Sequence, residues 1–390
     1  MAQRKNPFGG GDLTAVSLPD GVEQVLARLQ QDGWEAWVVG GAARNLAWGL
    51  PVEDWDVTTD APLSYLLHTF GDAHPGRRFG TVFAGQAVEV TMMRVEAGYS
   101  DRRHPDAVHP AGAIEEDLLR RDFTVNAVAF NHRQVAAVPY ALEDLAKRRW
   151  RAVGDPEARF REDGLRLIRL ARFVMTYGGL MEANTFEAAW RCRSWALAAS
   201  RERRWQEMQK MLLAPPRTWQ IPYVLGLLPA LGLPHRPLVL PRWPHPQGLA
   251  ARLLWWLWAG YQAVEPVKAW LDDWPIPRHL RRGVAAAARH LGSEPDPATW
   301  ARVARRQEPG GDILGEFARA AGVEERDLTP IRLAVNGHDL RKAFGIEGAS
   351  VGRLLRELQA LVEQEPSANR KGRLLEIARA RLDGQNFTGR

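Results

Sequence analysis

The chain has 390 residues with 52 Lys and Arg against 46 Asp and Glu, so roughly two to four domains are expected and the formal charge of +6 suits a polyanionic partner. A single cysteine, Cys192, excludes a disulfide framework and a cysteine-based zinc site. No apolar run approaches the ~18 residues of a membrane span, and the polar, glycine-rich opening Met1 to Asp12 has no signal-peptide core, so a reducing cytoplasmic setting with no membrane is expected.

Residues 1–20 read as a frayed leader, and Gly21 to Gln31 as an amphipathic helix with Val22, Val25, Leu26 and Leu29 on one face. Trp34 to Val39 is an aromatic and β-branched run with the character of a strand. Gly40-Gly41 ends it, and glycines there let backbone N–H groups turn toward an anion with no Cβ in the way. Ala42 to Gly49 then reads as a short helix whose N-terminus points at the same anion, with Arg44 adding a positive charge on its first turn. In Asp54-Trp55-Asp56-Val57, strand alternation sends both carboxylates to one face and Trp55 and Val57 to the other. Two carboxylates held that close repel unless a cation lies between them. Mg²⁺, which takes a few carboxylates plus substrate phosphates, is the natural occupant, and two such ions suit phosphoryl chemistry. Taken singly, a Gly-Gly pair is commonly a plain turn and Asp-x-Asp commonly a solvated loop; order and spacing carry the reading.

A helix near 62–70 and short strands at 80–95 follow. Val88-Glu89-Val90-Thr91 places Glu89 on the opposite face from the two valines, either as a third carboxylate near the metals or as an exposed strand residue. Glu96 to Ile114, with Tyr99, Asp101, Arg102, Arg103 and His104, reads as a long polar loop of the kind that is functional or mobile. In Arg120-Arg121-Asp122-Phe123-Thr124-Val125-Asn126-Ala127, Arg121 can pair with a triphosphate oxygen and Asp122 can accept from a ribose hydroxyl, with a surface ion pair as the plain alternative.

Strand signals nearly vanish after about residue 140. Leu142 to Arg148, Asp163 to Tyr177, Glu182 to Ala199 and Arg201 to Leu213 read as successive helices, so the fold class is α+β: an α/β head followed by all-helical parts. Among 16 tryptophans, Trp255, Trp256 and Trp258, and Trp270 and Trp274, sit among leucines at helical spacing and read as buried packing. Pro234 to Pro246 and Pro275 to Pro277 look like connections between helices. Val351 to Gln364 and Arg370 to Leu382 are the clearest helices of a last unit, residues 331–390, with 11 basic against 7 acidic side chains.

Within Glu162-Asp163-Gly164-Leu165-Arg166, Asp163 and Arg166 stand i and i+3 on the expected helix, offering an acceptor beside a fork of donors. Cytosine, through N3 and N4, and adenine, through N1 and N6, fit that edge, whereas uracil and guanine set a carbonyl against the carboxylate. Arg169 and Arg172 continue the row, but each i+3 step drifts about 60° around the helix. They are therefore better placed to orient Asp163 and Arg166, or to meet phosphate, than to touch the base. An ion-paired surface helix is the alternative.

Together these segments resemble the class II tRNA nucleotidyltransferases, the bacterial CCA-adding enzymes of the poly(A) polymerase family. Val39 to Arg44 with Asp54-Trp55-Asp56 is similar to the metal-binding motif, Arg120 to Ala127 to the ribose and triphosphate motif, and Leu142-Glu143-Asp144-Leu145 with Arg151 to Pro156 to the hinge. Glu162 to Arg166 is similar to the base-selecting helix, and Glu202-Arg203-Arg204 through Leu213 to the last neck motif. Val335 to Leu340 with Gly352 to Leu355 is similar to the family's tail. The likeness is specific over about residues 20–215 and weaker beyond.

The resemblance implies a polymerase β-like nucleotidyltransferase head at 21–140, a helical base-selecting neck at 141–215, a helical body at 216–325 and a tRNA-binding tail at 326–390. It implies that Asp54 and Asp56 hold catalytic Mg²⁺, that Gly41, Arg44 and Arg121 bind the nucleotide's phosphates and sugar, and that Asp163 and Arg166 read the base with Arg169 and Arg172 in support. The implied activity is template-independent addition of CMP and AMP from CTP and ATP to the tRNA 3′ end, with CC-adding, A-adding, poly(A)-polymerase and inactive RNA-binding relatives as alternatives. Asn45 departs from the family, which usually has Asp after this Arg. His338-Asp339 hints at a metal-dependent phosphohydrolase, but the surrounding sequence supplies no further ligand set. Oligomeric state stays open at this level.

Overall fold

The computed structural model describes residues 17–71, 81–85, 88–97, 107–239, 245–292, 296–330 and 332–385. The expected leader lies almost wholly outside them, as does the centre of the 96–114 segment. By internal contacts the chain divides into one unit ending at Leu238 and a second starting at Val239, within the proline-rich stretch.

In the first unit α1 (Asp20–Gln31) buries its stripe of Val22, Val25, Leu26 and Leu29 in one core with Val38, Val57, Leu66, Val82 and Val90. Next come β1 (Ala36–Val39), α2 (Gly40–Ala47), β2 (Trp55–Thr59), α3 (Leu63–Phe70), β3 (Thr81–Ala84) and β4 (Val88–Met92). β5 (Arg94–Ala97) and β6 (Ala107–Pro110) pair antiparallel, Val95 opposite His109, so residues 96–97 and 107–110 of the expected loop are strands of a two-stranded ribbon. α4 (Ile114–Leu119), β7 (Val128–Phe130) and β8 (Val135–Ala137) complete the head. Its six-stranded sheet runs β3-β4-β2-β1-β7-β8, antiparallel except for β2 beside β4. β1 has all four residues buried, the pattern of a central strand covered on both faces.

α5 (Ala141–Lys147) and the two-residue β9 (Arg149–Trp150) lead into α6 (Pro156–Glu162) and α7 (Leu165–Tyr177). β10 (Leu180–Met181), parallel to β9, α8 (Ala183–Cys192), α9 (Arg201–Leu212) and α10 (Ile221–Val224) follow. α6 is started by Asp155, whose carboxylate accepts from Ala158 N–H at 2.7 Å, with Pro156 in its first turn. An aromatic group seats α7 against the head: Trp150 stacks on Phe173 at 5.0 Å and 4°, while Phe123 meets both rings edge-on. Beside it, the fully buried Asp144 accepts from Thr124 Oγ1 at 2.8 Å and Arg151 Nε at 2.9 Å, which pins the expected hinge.

The second unit is helical, from α11 (Leu249–Tyr261), α12 (Val264–Asp273), α13 (Arg278–Ala288), α14 (Pro297–Arg305), α15 (Gly311–Ala320) and α16 (Glu325–Leu328) to α17 (Gly337–Phe344), α18 (Ala349–Gln364) and α19 (Lys371–Gln385). Trp255, Trp256 and Trp258 are buried on α11, and Trp270 stacks on Trp274 at 4.6 Å, as the leucine-rich context led one to expect. His338-Asp339 belongs to a helix cap: Asn336 Oδ1 accepts from both backbone N–H groups, and Asp339 accepts in return from Asn336 N–H and from Lys371.

Candidate active site

A cleft of about 1170 Å³ in the first unit gathers Gly41, Arg44, Asp54, Asp56, Arg121, Asp163, Arg166, Arg169 and Arg172 on its lining. These residues span more than 130 positions of sequence, and the packing of α7 against α2 and the Phe123–Trp150 aromatic group brings them together. Ten basic side chains line the cleft against five acidic ones, so it favours a polyanion.

The anion-facing turn differs from the expectation in detail. α2 begins at Gly40 rather than Ala42, so the glycine pair forms the helix's own first turn directly after β1. Gly40 is the position that demands glycine: its φ is +70°, and an added Cβ would stand 2.9 Å from Arg121 Nη1 and 3.5 Å from Asp56 Oδ2. At Gly41 the nearest atom would be Arg44 Nη2 at an ordinary 3.7 Å. Arg44 is buried over the Tyr177 ring at 4.2 Å, and Nη1 donates to Asn126 Oδ1 at 2.6 Å. Burial pulls this guanidinium down to about 10, with Tyr177 and Asp122 opposing and Arg172 and Arg169 reinforcing, so it stays protonated at neutral pH.

Asp56 lies inside β2, while Asp54 sits just before the strand and is exposed. Trp55 and Val57 are buried on the opposite face, as alternation requires. Among the described residues Asp54 has no ion-pair partner, and no three His, Cys, Asp or Glu side chains gather to hold a metal. Asp54 and Asp56 offer hard oxygen donors on one cleft lining, which fits a divalent ion that draws other ligands from substrate phosphate and water. Glu89 pairs in register with Asp56 across the parallel β2–β4 ladder and is half-buried beside Arg94 and Arg121. Of the two expectations, the exposed strand residue is the one that fails, and Glu89 stands next to the carboxylate strand.

Asp122 is not available to a ribose. Its Oδ1 accepts from Phe123 N–H and Asn126 Nδ2, both at 2.9 Å, and Oδ2 accepts from Arg169 Nε at 2.8 Å and Nη2 at 2.7 Å. Burial pushes its carboxyl up, and Arg169 and Asn126 outweigh that and hold it at about 2. Arg121 is braced by Asp117 at 3.0 Å. Arg169 and Arg172 both line the cleft and both meet Glu207 of α9, and Arg169 also feels the charge of Asp163.

Asp163 and Arg166 do not share a helix. Asp163 is extended at the junction of α6 and α7, where Oδ1 accepts from Leu165 N–H at 3.0 Å. Gly164 lets the chain pass under the Trp195 carbonyl, 2.0 Å from where a Cβ would be. The two side chains also ignore each other: Asp163 takes a two-pronged bond from Arg203, at 3.2 and 2.7 Å, and Arg166 Nη1 pairs with Glu162 and donates to Arg159 O, while Nη2 donates to Arg120 O. Counting donors and lone pairs, Asp163 Oδ2 retains one lone pair, and Arg166 retains Nε–H and one Nη2 hydrogen, among the described residues. One acceptor and a donor fork survive for a base edge. Arg203, Glu207, Asn126 and Tyr177 received no role from the sequence; the signal for the first two was the Glu202-Arg203-Arg204 segment running on to Glu207.

The Poly A polymerase head domain family matches residues 36–151. The solved CCA-adding enzyme of Bacillus stearothermophilus in complex with CTP superposes with a TM-score of 0.75 at 26% identity, covering 95% of this chain and 100% of that one. A CCA-adding enzyme from Geobacillus sp. strain WCH70 is 32% identical over 374 residues, 87% of this chain and 90% of the relative. Another from Geobacillus thermodenitrificans is 35% identical over 290 residues, 71% of each chain. With that identity over that share of length, this chain belongs to the CCA-adding enzyme family of nucleotidyltransferases.

Proposed function

We propose that this protein adds CMP and AMP from CTP and ATP to the 3′ end of tRNA, completing or repairing its CCA terminus without a nucleic-acid template, and that its divalent ion is Mg²⁺. The observation that carries this reading is the convergence of an anion-binding helix start, a carboxylate pair and a donor–acceptor edge in one cationic cleft.

The first turn of α2, Arg44 and Arg121 bind the triphosphate, and Asp163 with Arg166 reads the base from the same face for cytosine and adenine. Asp54 and Asp56 would hold Mg²⁺, which when bound supplies positive charge at the reacting phosphate. The tRNA 3′-hydroxyl gives its proton to water and its oxygen forms a bond to the α-phosphorus as the bond from the α-phosphorus to the α–β bridging oxygen breaks, and pyrophosphate leaves with that oxygen, its charge met by Arg44 and Arg121. Cations outside these pairs have their own use. Among the described residues Arg148 and Lys210 line the cleft without a carboxylate partner, which suits the backbone of the incoming 3′ strand. No helix among the described residues is long and apolar enough to cross a membrane, in keeping with a cytoplasmic setting. By the family resemblance, CC-adding members have a shortened loop between the metal and ribose motifs, and the length of Glu96 to Ile114 here supports addition of A as well as C.

The test is incorporation of labelled CTP and ATP, separately and together with Mg²⁺, into tRNA transcripts ending before CCA, after C and after CC. Two C additions followed by A on the shortest transcript are expected. Addition of A only to the CC-ended transcript would make the protein an A-adding specialist, and arrest after CC a CC-adding one.

A further inference from the structure

Asn45 follows Arg44 on α2, where the family resemblance leads one to expect an aspartate. Its Oδ1 accepts from Arg44 Nε at 3.1 Å and Nη2 at 2.8 Å, and its Nδ2 donates to Pro51 O at 2.8 Å. The neighbours fix the amide's orientation, because a guanidinium only donates and a carbonyl only accepts. An aspartate would satisfy the first contact and oppose oxygen to oxygen at the second. Arg44's remaining bond also goes to an amide, Asn126 Oδ1 at 2.6 Å. Among the described residues no carboxylate lies within ion-pair distance of Arg44, whereas Arg121, Arg166, Arg169, Arg172 and Arg203 each have one. Neutral acceptors fix a guanidinium's direction without cancelling its charge. Pro51 begins the short segment that leads to Asp54 and β2, so the same side chain straps the anion-facing helix to the carboxylate strand's approach.

We propose that Asn45 is a positioning residue that holds Arg44 through uncharged hydrogen bonds, keeping its full charge for the nucleotide's triphosphate while tying α2 to the Pro51 segment. This rests on the reading that Arg44 meets phosphate. The family's usual aspartate, placed here, would lower the effective charge at the turn and release the strap.

The experiment compares the full-length parent with N45D, N45A and R44Q, measuring KM and kcat for CTP and ATP, equilibrium binding of tripolyphosphate, which carries neither base nor sugar, and melting temperature. Asn45 is half-buried and N45D is isosteric, so N45D is expected to melt within about 5 °C of the parent. N45D is expected to raise both KM values and the tripolyphosphate Kd together, by about five- to tenfold, with kcat within about twofold; N45A is expected to do less. If N45D binds tripolyphosphate as tightly as the parent, or if N45A is the worse of the two, orientation alone matters and the proposal is overturned. R44Q separates the two levels. Unchanged tripolyphosphate binding in R44Q would overturn the role of Arg44 itself, whereas weakened binding in R44Q beside an unaffected N45D overturns only the role of Asn45.

Discussion

Asp122 receives every proton donor in its reach from the protein: a backbone N–H, an amide and two guanidinium N–H groups. Its carboxyl, ordinarily near 3.8, is held at about 2, so its contribution to stability is complete above about pH 4 and is lost as pH falls toward 2. D122N is expected to cost roughly 2 kcal/mol at pH 7 and to flatten the acid limb of the stability curve between about pH 4 and 2. Denaturant unfolding at a series of pH values checks this, and parallel acid limbs for parent and variant would show that the carboxylate carries no such load. Side chains of this kind explain why residue roles are harder to read than residue positions. The sequence put Asp122 and Asp163 in the cleft, but which oxygen is occupied depends on Arg169 and Arg203, 47 and 40 residues away.

Elements carry a different lesson, and α2 is the clearest case. Aromatic and β-branched content before Gly40 marked the strand, and glycine marked its end, because both are local steric properties of the chain. The helix start was set two residues too late because glycine is a poor helix former on propensity, and only the packing of Arg121 and Asp56 against Gly40 shows why it opens the helix. G40A is therefore expected to strain a φ of +70°, costing about 1–2 kcal/mol, and to displace Arg121. Steady-state kinetics should show kcat/KM for CTP and ATP reduced about tenfold or more, with a lowered melting temperature; a fully active G40A would mean Arg121 moves aside without loss. At the head of α7 the i, i+3 spacing of Asp163 and Arg166 was correct as arithmetic and misleading as geometry. The helix begins after Asp163, whose backbone is extended and whose side chain accepts from Leu165 N–H in a local turn, leaving Gly164 as the N-cap.

For the whole molecule, the excess of basic side chains and the cationic cleft predict RNA binding dominated by phosphate contacts. The KM for tRNA is expected to rise about tenfold or more between 50 and 200 mM salt, with the KM for CTP rising less, since more phosphates of the long ligand are neutralised. Equal salt dependence for both substrates would remove the helical parts and the cleft's unpaired cations from tRNA binding. By itself the sequence determined the α+β class, the strand that ends at Gly40, the carboxylate strand and the buried tryptophan helices, since local sterics and periodicity are properties of neighbouring residues; the nine cleft residues were named from ordered motifs together with the family resemblance. Only the tertiary structure decided that Glu89 stands beside Asp56, that Arg203 pairs with Asp163 and Glu207 with Arg172, and that Arg44 donates to the amide oxygens of Asn45 and Asn126. Those are contacts between distant segments, and hydrogen-bond partners are allotted only when the sheet, α7 and α9 have come together.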